Sequence, residues 1–360
     1  MKTPIRLWAG YKLRQAATKT DGIAPDLSYF STVENKEESS PHSCRPAVYN
    51  HEHLERVQSC GFNRQLKDLV QTLDETSYLQ APLQSFHIGP ATVIGGLIVT
   101  PERHIIHSSH VPVTLRDALA FTELRDRAVL ANSMPGLRYF GHWLSDDVSA
   151  FEAASEDPDL LSLPLPNWSD ATFYKNLFGQ TWKEQRVIRT RSLTLLRDLG
   201  FSSAKAGRYR ELRQKLRDRL GARGRDKVVF LKRGPSGDPR EIANLQQFEA
   251  ALTSAGVSIV TVEGDPSEMV KQLVDAPVII TIEGSQDRHG IYTLRDGGAM
   301  ITIAPPDRFY IATHEWARCL DMRSGVIIGK PAEGGFDVDP DEVLAMIDYM
   351  LPRVHNLDTA

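Results

Sequence analysis

Cysteine is scarce in this sequence. Cys44, Cys60 and Cys319 are odd in number, far apart and without a C-x-x-C pair, which argues against a disulfide framework or a thiolate-rich metal site and points to a reducing, cytoplasmic compartment. A basic surplus is also missing. Forty-two Lys and Arg face forty-six Asp and Glu, a net charge of −4, so no nucleic-acid partner is expected of the whole chain. No run of eighteen apolar residues occurs, so no transmembrane segment is expected, while peripheral membrane association and homo-oligomerisation stay open. The opening MKTPIRLWAGYKLRQ lacks the apolar stretch of a secretory signal. Neither G-x-G-x-x-G nor G-x-x-x-x-G-K-[ST] occurs, which disfavours a dinucleotide enzyme and a P-loop ATPase. His107 and His110 lack a third ligand at convincing spacing and read as structural or surface histidines; no metal site is expected.

At 360 residues, 41% apolar and 24% charged, the chain has room for two ordinary globular cores. Residues 17–53 are polar and turn-rich, and an irregular or partly mobile segment is expected there. From Phe86, FHIGPATVIGGLIVTPERHIIHSSH reads as short strands joined by tight turns. Val113 to Leu130 reads as helix or linker, a helix is expected from about Trp143, and another opens at Ser169 or Asp170. VIRTRSLTLLRDLG is ambiguous. Tyr209, Leu212, Leu216 and Leu220 line one face of an Arg-rich helix, stopped by glycines at 221 and 224. Its other positions read as a solvated charged face, or as a surface for anionic membrane or acceptor. The pattern then turns regular, with strands KVVFL, VSIVTV, PVIITI and AMITIAP alternating with helices, the signature of a largely parallel sheet. Near the end, Asp339, Pro340 and Glu342 form a capping-box pattern. The expected division is 1–225, 226–338, and a final helix 339–360 that crosses back toward the N-terminal domain.

Three constellations carry candidate chemistry. His142 and Asp146, four apart, share a helix face and suit general-base chemistry, with Asp146 either the base or the carboxylate that orients His142; the bland alternative is a capped helix start with Trp143 as core. Lys232 and Arg233 end the first C-terminal strand and Arg240 precedes the next helix, where cations suit a diphosphate; the alternative is a solvated loop. Glu283-Gly284-Ser285-Gln286, followed by Asp287, Arg288 and His289, sits at another strand end. There Gly284 permits close approach, Ser285 and backbone N–H groups suit anionic oxygens, and Glu283 suits ribose or sugar hydroxyls; the alternative is a capped turn without ligand.

With these motifs in order, the chain resembles the family 61 glycosyltransferases, which include bacterial capsular-polysaccharide biosynthesis proteins and eukaryotic xylosyl- and N-acetylglucosaminyltransferases. The resemblance runs from about Phe86 to Pro306. It rests on His142-Trp143 with Asp146, VVFLKR ending in Arg233, Arg240 with Asn244, a short helix around Ser267, and the Glu283–His289 loop. That loop departs from the His-Gly opening and terminal Asn commoner in the family. The resemblance implies an α/β fold of GT-B type, with two Rossmann-like domains facing across a cleft and the donor held mainly by the C-terminal one. It implies an inverting, metal-independent transfer from a nucleotide-sugar, a UDP-sugar by expectation, to a saccharide or glycan acceptor in polysaccharide biosynthesis. It assigns Asp146 and His142 to catalysis, and Lys232, Arg233, Arg240, Asn244, Glu283, Gly284, Ser285, Gln286 and His289 to the donor. The alternative is a non-catalytic binding or structural protein retaining the fold.

Overall fold

The computed structural model describes residues 27–29, 31–221, 225–234 and 237–355. The chain clusters into two compact units: the described residues up to Ser39 with Ala81–Gly200, and Ser40–Gln80 with Phe201 onward. By compactness the units part near Gly200, where 225/226 was expected, and the second unit takes in the early segment Ser40–Gln80 that composition alone leaves with the N-terminal domain.

The first unit is built on a mixed sheet in the order His104–Ile106, Leu97–Val99, Gln84–Ile94, Val187–Arg197, Leu124–Leu130, Leu160–Leu161. Pairing is antiparallel as far as Val187–Arg197 and parallel beyond it; Thr32–Asn35 adds antiparallel to the start of Gln84–Ile94. The turn at Gly95-Gly96 shows why glycine is needed. Gly95 has φ +53, and a Cβ on Gly96 would overlap the Ser108 carbonyl. Phe86, Val93, Ile98, Leu130, Leu161 and Leu193 pack together as this unit's core. The ambiguous stretch is an eleven-residue strand, Val187–Arg197. The helix or linker expected at Val113–Leu130 is a short helix, Leu115–Leu119, followed by the strand Leu124–Leu130. Only Ala128–Leu130 of that strand are buried, so its charged first half masks the alternation that marks a strand.

The second unit carries a six-stranded parallel sheet, ordered Ser258–Thr261, Val228–Lys232, Ala276–Ile282, Leu294–Ala304, Arg323–Ile328, Val48–Tyr49. All seven residues of Ala276–Ile282 are buried, the uninterrupted apolar run of a strand covered on both faces. The four strands expected within 227–306 are present and parallel. Val343, Ile347, Met350 and Val354 recur at helical spacing along Pro340–His355 and bury against this sheet's core. The final helix thus packs on its own unit's sheet, with strands Ala276–Ile282, Leu294–Ala304 and Arg323–Ile328. Its capping box is only half made. Asp339 accepts from the Asp341 N–H at 3.1 Å, whereas Glu342 turns to a bidentate pair with Arg56 at 2.7 and 2.9 Å.

The Arg-rich helix, Ser203–Leu220, belongs to this unit, and its cations are not all solvated. Arg213 is fully buried and donates to the carbonyls of Ile291 and Leu294 and to Asp296. It thereby satisfies carbonyls left open at the end of the short helix His289–Thr293. Arg217 pairs with Asp275 at 2.8 Å, and the buried Lys205 lies 4.8 Å from the Phe201 ring.

Candidate functional site

The order of the parallel sheet reverses beside Val228–Lys232: the chain runs outward to Ser258–Thr261 and then returns to Ala276–Ile282 on the other side. In open α/β sheets, ligands collect outside the strand carboxyl ends at such a reversal. Three arginines meet there. Arg233 follows Val228–Lys232, Arg240 precedes the helix Leu245–Ser254, and Arg308 follows Leu294–Ala304.

Arg240 and Arg308 share one partner, Glu283, at the end of Ala276–Ile282. Arg240 Nε lies 2.8 Å and Arg308 Nε 3.8 Å from Glu283 Oε2, with the Arg240 and Glu283 side chains both buried. The closer contact is an ion pair rather than an aligned hydrogen bond. Burial pushes the Glu283 carboxyl above the usual carboxylate range, against the pull of Arg240. Arg233 donates to Gln286 Oε1 at 3.1 Å and to the Asp238 carbonyl at 2.9 Å. Burial, and then the neighbouring Arg240, hold its pKa below the ordinary arginine value. The guanidinium groups thus crowd one another, a condition that an anion relieves.

The loop after Glu283 is shaped around Arg233. Gly284 has φ +148, and a Cβ there would stand 2.5 Å from Arg233 Nη1 and 2.7 Å from Gln286 Oε1. Ser285 opens a 3-10 turn, Ser285–Arg288, and Gln286 is anchored by donating to the Ile282 carbonyl at 2.6 Å. Asp287 is buried between Arg288 at 2.8 Å and the Thr313 hydroxyl at 2.9 Å, with its pKa raised by burial. His289 is fully buried at the start of the following helix.

Two candidates lie outside this cluster. Lys232 pairs with Glu249 on the flanking helix at 2.7 Å. The Asn244 amide is engaged at both ends by the Val338 backbone, at 2.8 and 3.0 Å, and so ties the loop to the approach of the final helix. Conversely, the structure adds Arg308, Asp238, Tyr310 and Phe62. Arg308 Nη1 lies 3.4 Å from Asp238 Oδ2, and burial pushes the Tyr310 hydroxyl up to about 12. The strand-end rule applied to AMITIAP would have found Arg308; no local signal marks Phe62.

In the first unit, His142 and Asp146 stand as the spacing predicts. His142 Nδ1 lies 2.7 Å from Asp146 Oδ2, the imidazole one-third exposed and the carboxylate only 4% exposed. Their helix starts at Phe140 and widens into a π turn over Trp143–Asp147, a distortion frequent at functional sites. Trp143 is entirely buried among Phe140, Trp168 and Trp182, with ring centroids 5.8, 6.3 and 5.9 Å away; it is core.

Behind the pair sits Asp147, also buried. It accepts from the Ser133 N–H at 2.9 Å and weakly from the Asn132 amide at 3.4 Å, and burial raises its carboxyl well above the usual range. A Cβ on Gly136 would overlap that carboxylate. His107 is buried against the Asn132 carbonyl at 2.9 Å, which makes it structural. Among the described residues no group of three or more His, Cys, Asp or Glu is arranged to hold a metal ion, and no helix is long and apolar enough to cross a membrane.

No curated protein matches the chain at a significant level. The family match is narrower than the span from Phe86 to Pro306, yet it encloses both the His142–Asp146 pair and the Arg233–Glu283 loops. Residues 140–301 match the family model described as Glycosyltransferase 61, which suggests a glycosyltransferase-like function in general.

Proposed function

We propose that the protein is an inverting glycosyltransferase that moves a sugar from a nucleotide-sugar, such as a UDP-sugar, to a saccharide or glycan acceptor in polysaccharide biosynthesis, with no bound metal. One observation carries the reading: at the sheet's reversal point Arg240 and Arg308, from two strand ends, pair with the single buried carboxylate of Glu283, and Arg233 stands beside them on Gln286. Guanidinium groups bind phosphate oxygens bidentately, and fixed cations stabilise the charge that grows on a departing diphosphate. Arg233 and the Gly284-Ser285 turn hold the diphosphate in this reading, and Glu283 positions Arg240 and Arg308.

The reaction forms a bond from the acceptor oxygen to the anomeric carbon and breaks the bond from that carbon to the diphosphate oxygen. The acceptor proton needs a base. Asp146 is buried and occupied by His142 Nδ1, while the imidazole is the exposed partner. That arrangement favours His142 as base through Nε2, with Asp146 fixing the tautomer and stabilising the imidazolium. The test is calorimetric titration with nucleoside diphosphates before and after Arg233→Ala. At least a tenfold loss of affinity is expected, and unchanged affinity removes the assignment. A rival reading, a non-catalytic binding protein, draws on the internal neutralisation of Arg240 by Glu283. Nucleotide binding with no transfer or hydrolysis across a panel of nucleotide-sugars would favour it.

A further inference from the structure

Phe62 stands in a conformation that the chain has no local reason to adopt. Phe62 and Asn63 both have positive φ, +56 and +54, the left-handed region that non-glycine residues rarely enter and aromatic ones still less. Two residues held there in succession need outside support, and the loop has it. The N–H groups of Gln58 and Ser59 donate to the Pro306 carbonyl, Gly61 N–H donates to Phe309 O, and Phe309 N–H returns to Ser59 O. The loop is thus laced to the segment after strand Leu294–Ala304, the same segment that carries Arg308.

The fixed backbone does not bury the ring, which remains 49% exposed. It lies 4.9 Å from the Tyr310 ring and 5.2 Å from the Arg308 guanidinium carbon, centroid to carbon. Arg308 in turn reaches Glu283 and Asp238. A half-exposed aromatic face therefore sits one guanidinium away from the arginine cluster, on a backbone held in a costly conformation.

We infer that Phe62 is a stacking platform for the nucleobase of the nucleotide whose diphosphate the arginine cluster holds, with Arg308 bridging the two subsites. This inference rests on the donor-site reading above. A planar base and an aromatic face stack regardless of base identity, so Phe62 contributes affinity for a nucleoside diphosphate and none for pyrophosphate. Arg308, pinned between ring and carboxylates, faces both halves of such a ligand.

The experiment uses the full chain and its Phe62→Ala and Phe62→Tyr variants. Each is titrated calorimetrically with uridine, guanosine, cytidine and adenosine 5′-diphosphates and with inorganic pyrophosphate. Loss of one stacked base corresponds to an affinity drop of about 5- to 150-fold. Phe62→Ala is expected to show that drop for the preferred nucleoside diphosphate, to bind pyrophosphate as the parent does, and to be rescued by Phe62→Tyr. Parental nucleoside diphosphate affinity in Phe62→Ala overturns the platform and leaves the donor site standing. Equal losses for nucleotide and pyrophosphate also overturn it, since the ring would then only support Arg308. A parent protein that binds no nucleoside diphosphate overturns platform and donor reading together.

Discussion

The two candidate constellations are assembled in opposite ways. His142 and Asp146 lie four residues apart on one helix, and their 2.7 Å contact follows from helical spacing. The arginine cluster draws Arg233, Arg240, Glu283 and Arg308 from three strand ends, and Phe62 from far earlier in the chain. The pair also has one buried member and one partly exposed member. The cluster instead presses like charges together around one carboxylate. Local chemistry can thus be encoded locally, whereas a concentration of like charge needs a rigid sheet to hold it.

The largest effect should come from the pair. Asp146→Asn and His142→Ala should each lower turnover by about 100- to 10,000-fold while leaving nucleoside diphosphate affinity within about twofold. Steady-state kinetics beside calorimetry checks this, and lost nucleotide binding would erase the division of labour between the two constellations.

The cluster should answer in stability. Arg240→Ala strips the buried Glu283 of its nearest cation and should cost about 3–5 kcal/mol in chemical denaturation. Glu283→Gln added to that variant should recover much of the loss. A small cost in the single variant would mean that Arg308 alone compensates the carboxylate.

Each unit also holds a buried histidine whose pKa burial pushes down to about 4, His107 in the first and His314 in the second. A histidine kept neutral in the fold contributes stability that is present above its unfolded pKa near 6.5 and is lost as pH falls toward 4. Each should remove up to about 3 kcal/mol across that window. His107→Gln and His314→Gln should flatten the acid limb of the stability curve; a limb unchanged in either variant would exempt that unit. The smallest change is conservative. Arg233→Lys keeps the charge but loses the fork, and should weaken nucleoside diphosphate binding about tenfold.

Legibility in the sequence followed the range of the interaction. Ala276–Ile282, Leu66–Asp74 and Pro340–His355 differ in how visible they were. The first and last carry unbroken or periodic apolar patterns, so the parallel sheet and the final helix could be read directly. The segment around Leu66–Asp74 is mostly polar, and only Leu69 and Leu73 reach the core, against Phe309 and Val326. The strand Val48–Tyr49 is two residues long and exists only because Arg323–Ile328 offers an edge. Lys232 and Asn244 stood at the expected strand end and loop, but their partners, Glu249 and Val338, lie outside the arginine cluster. A motif position sets where a residue's backbone arrives; the neighbours decide where its side chain goes.

The sequence by itself determined the α/β class, the four parallel strands of residues 227–306, the i, i+4 contact of His142 with Asp146, and Glu283 and Arg233 at strand ends. These depend on periodicity and turn chemistry within a few residues. Only the tertiary structure decided the unit boundary near Gly200, the burial of Arg213 against open helix carbonyls, and the meeting of Arg308 and Phe62 with the strand-end loops. Those contacts join residues far apart in the chain. Whether such residues meet is set by how whole faces bury and how buried charges and carbonyls find partners, and no local pattern records it.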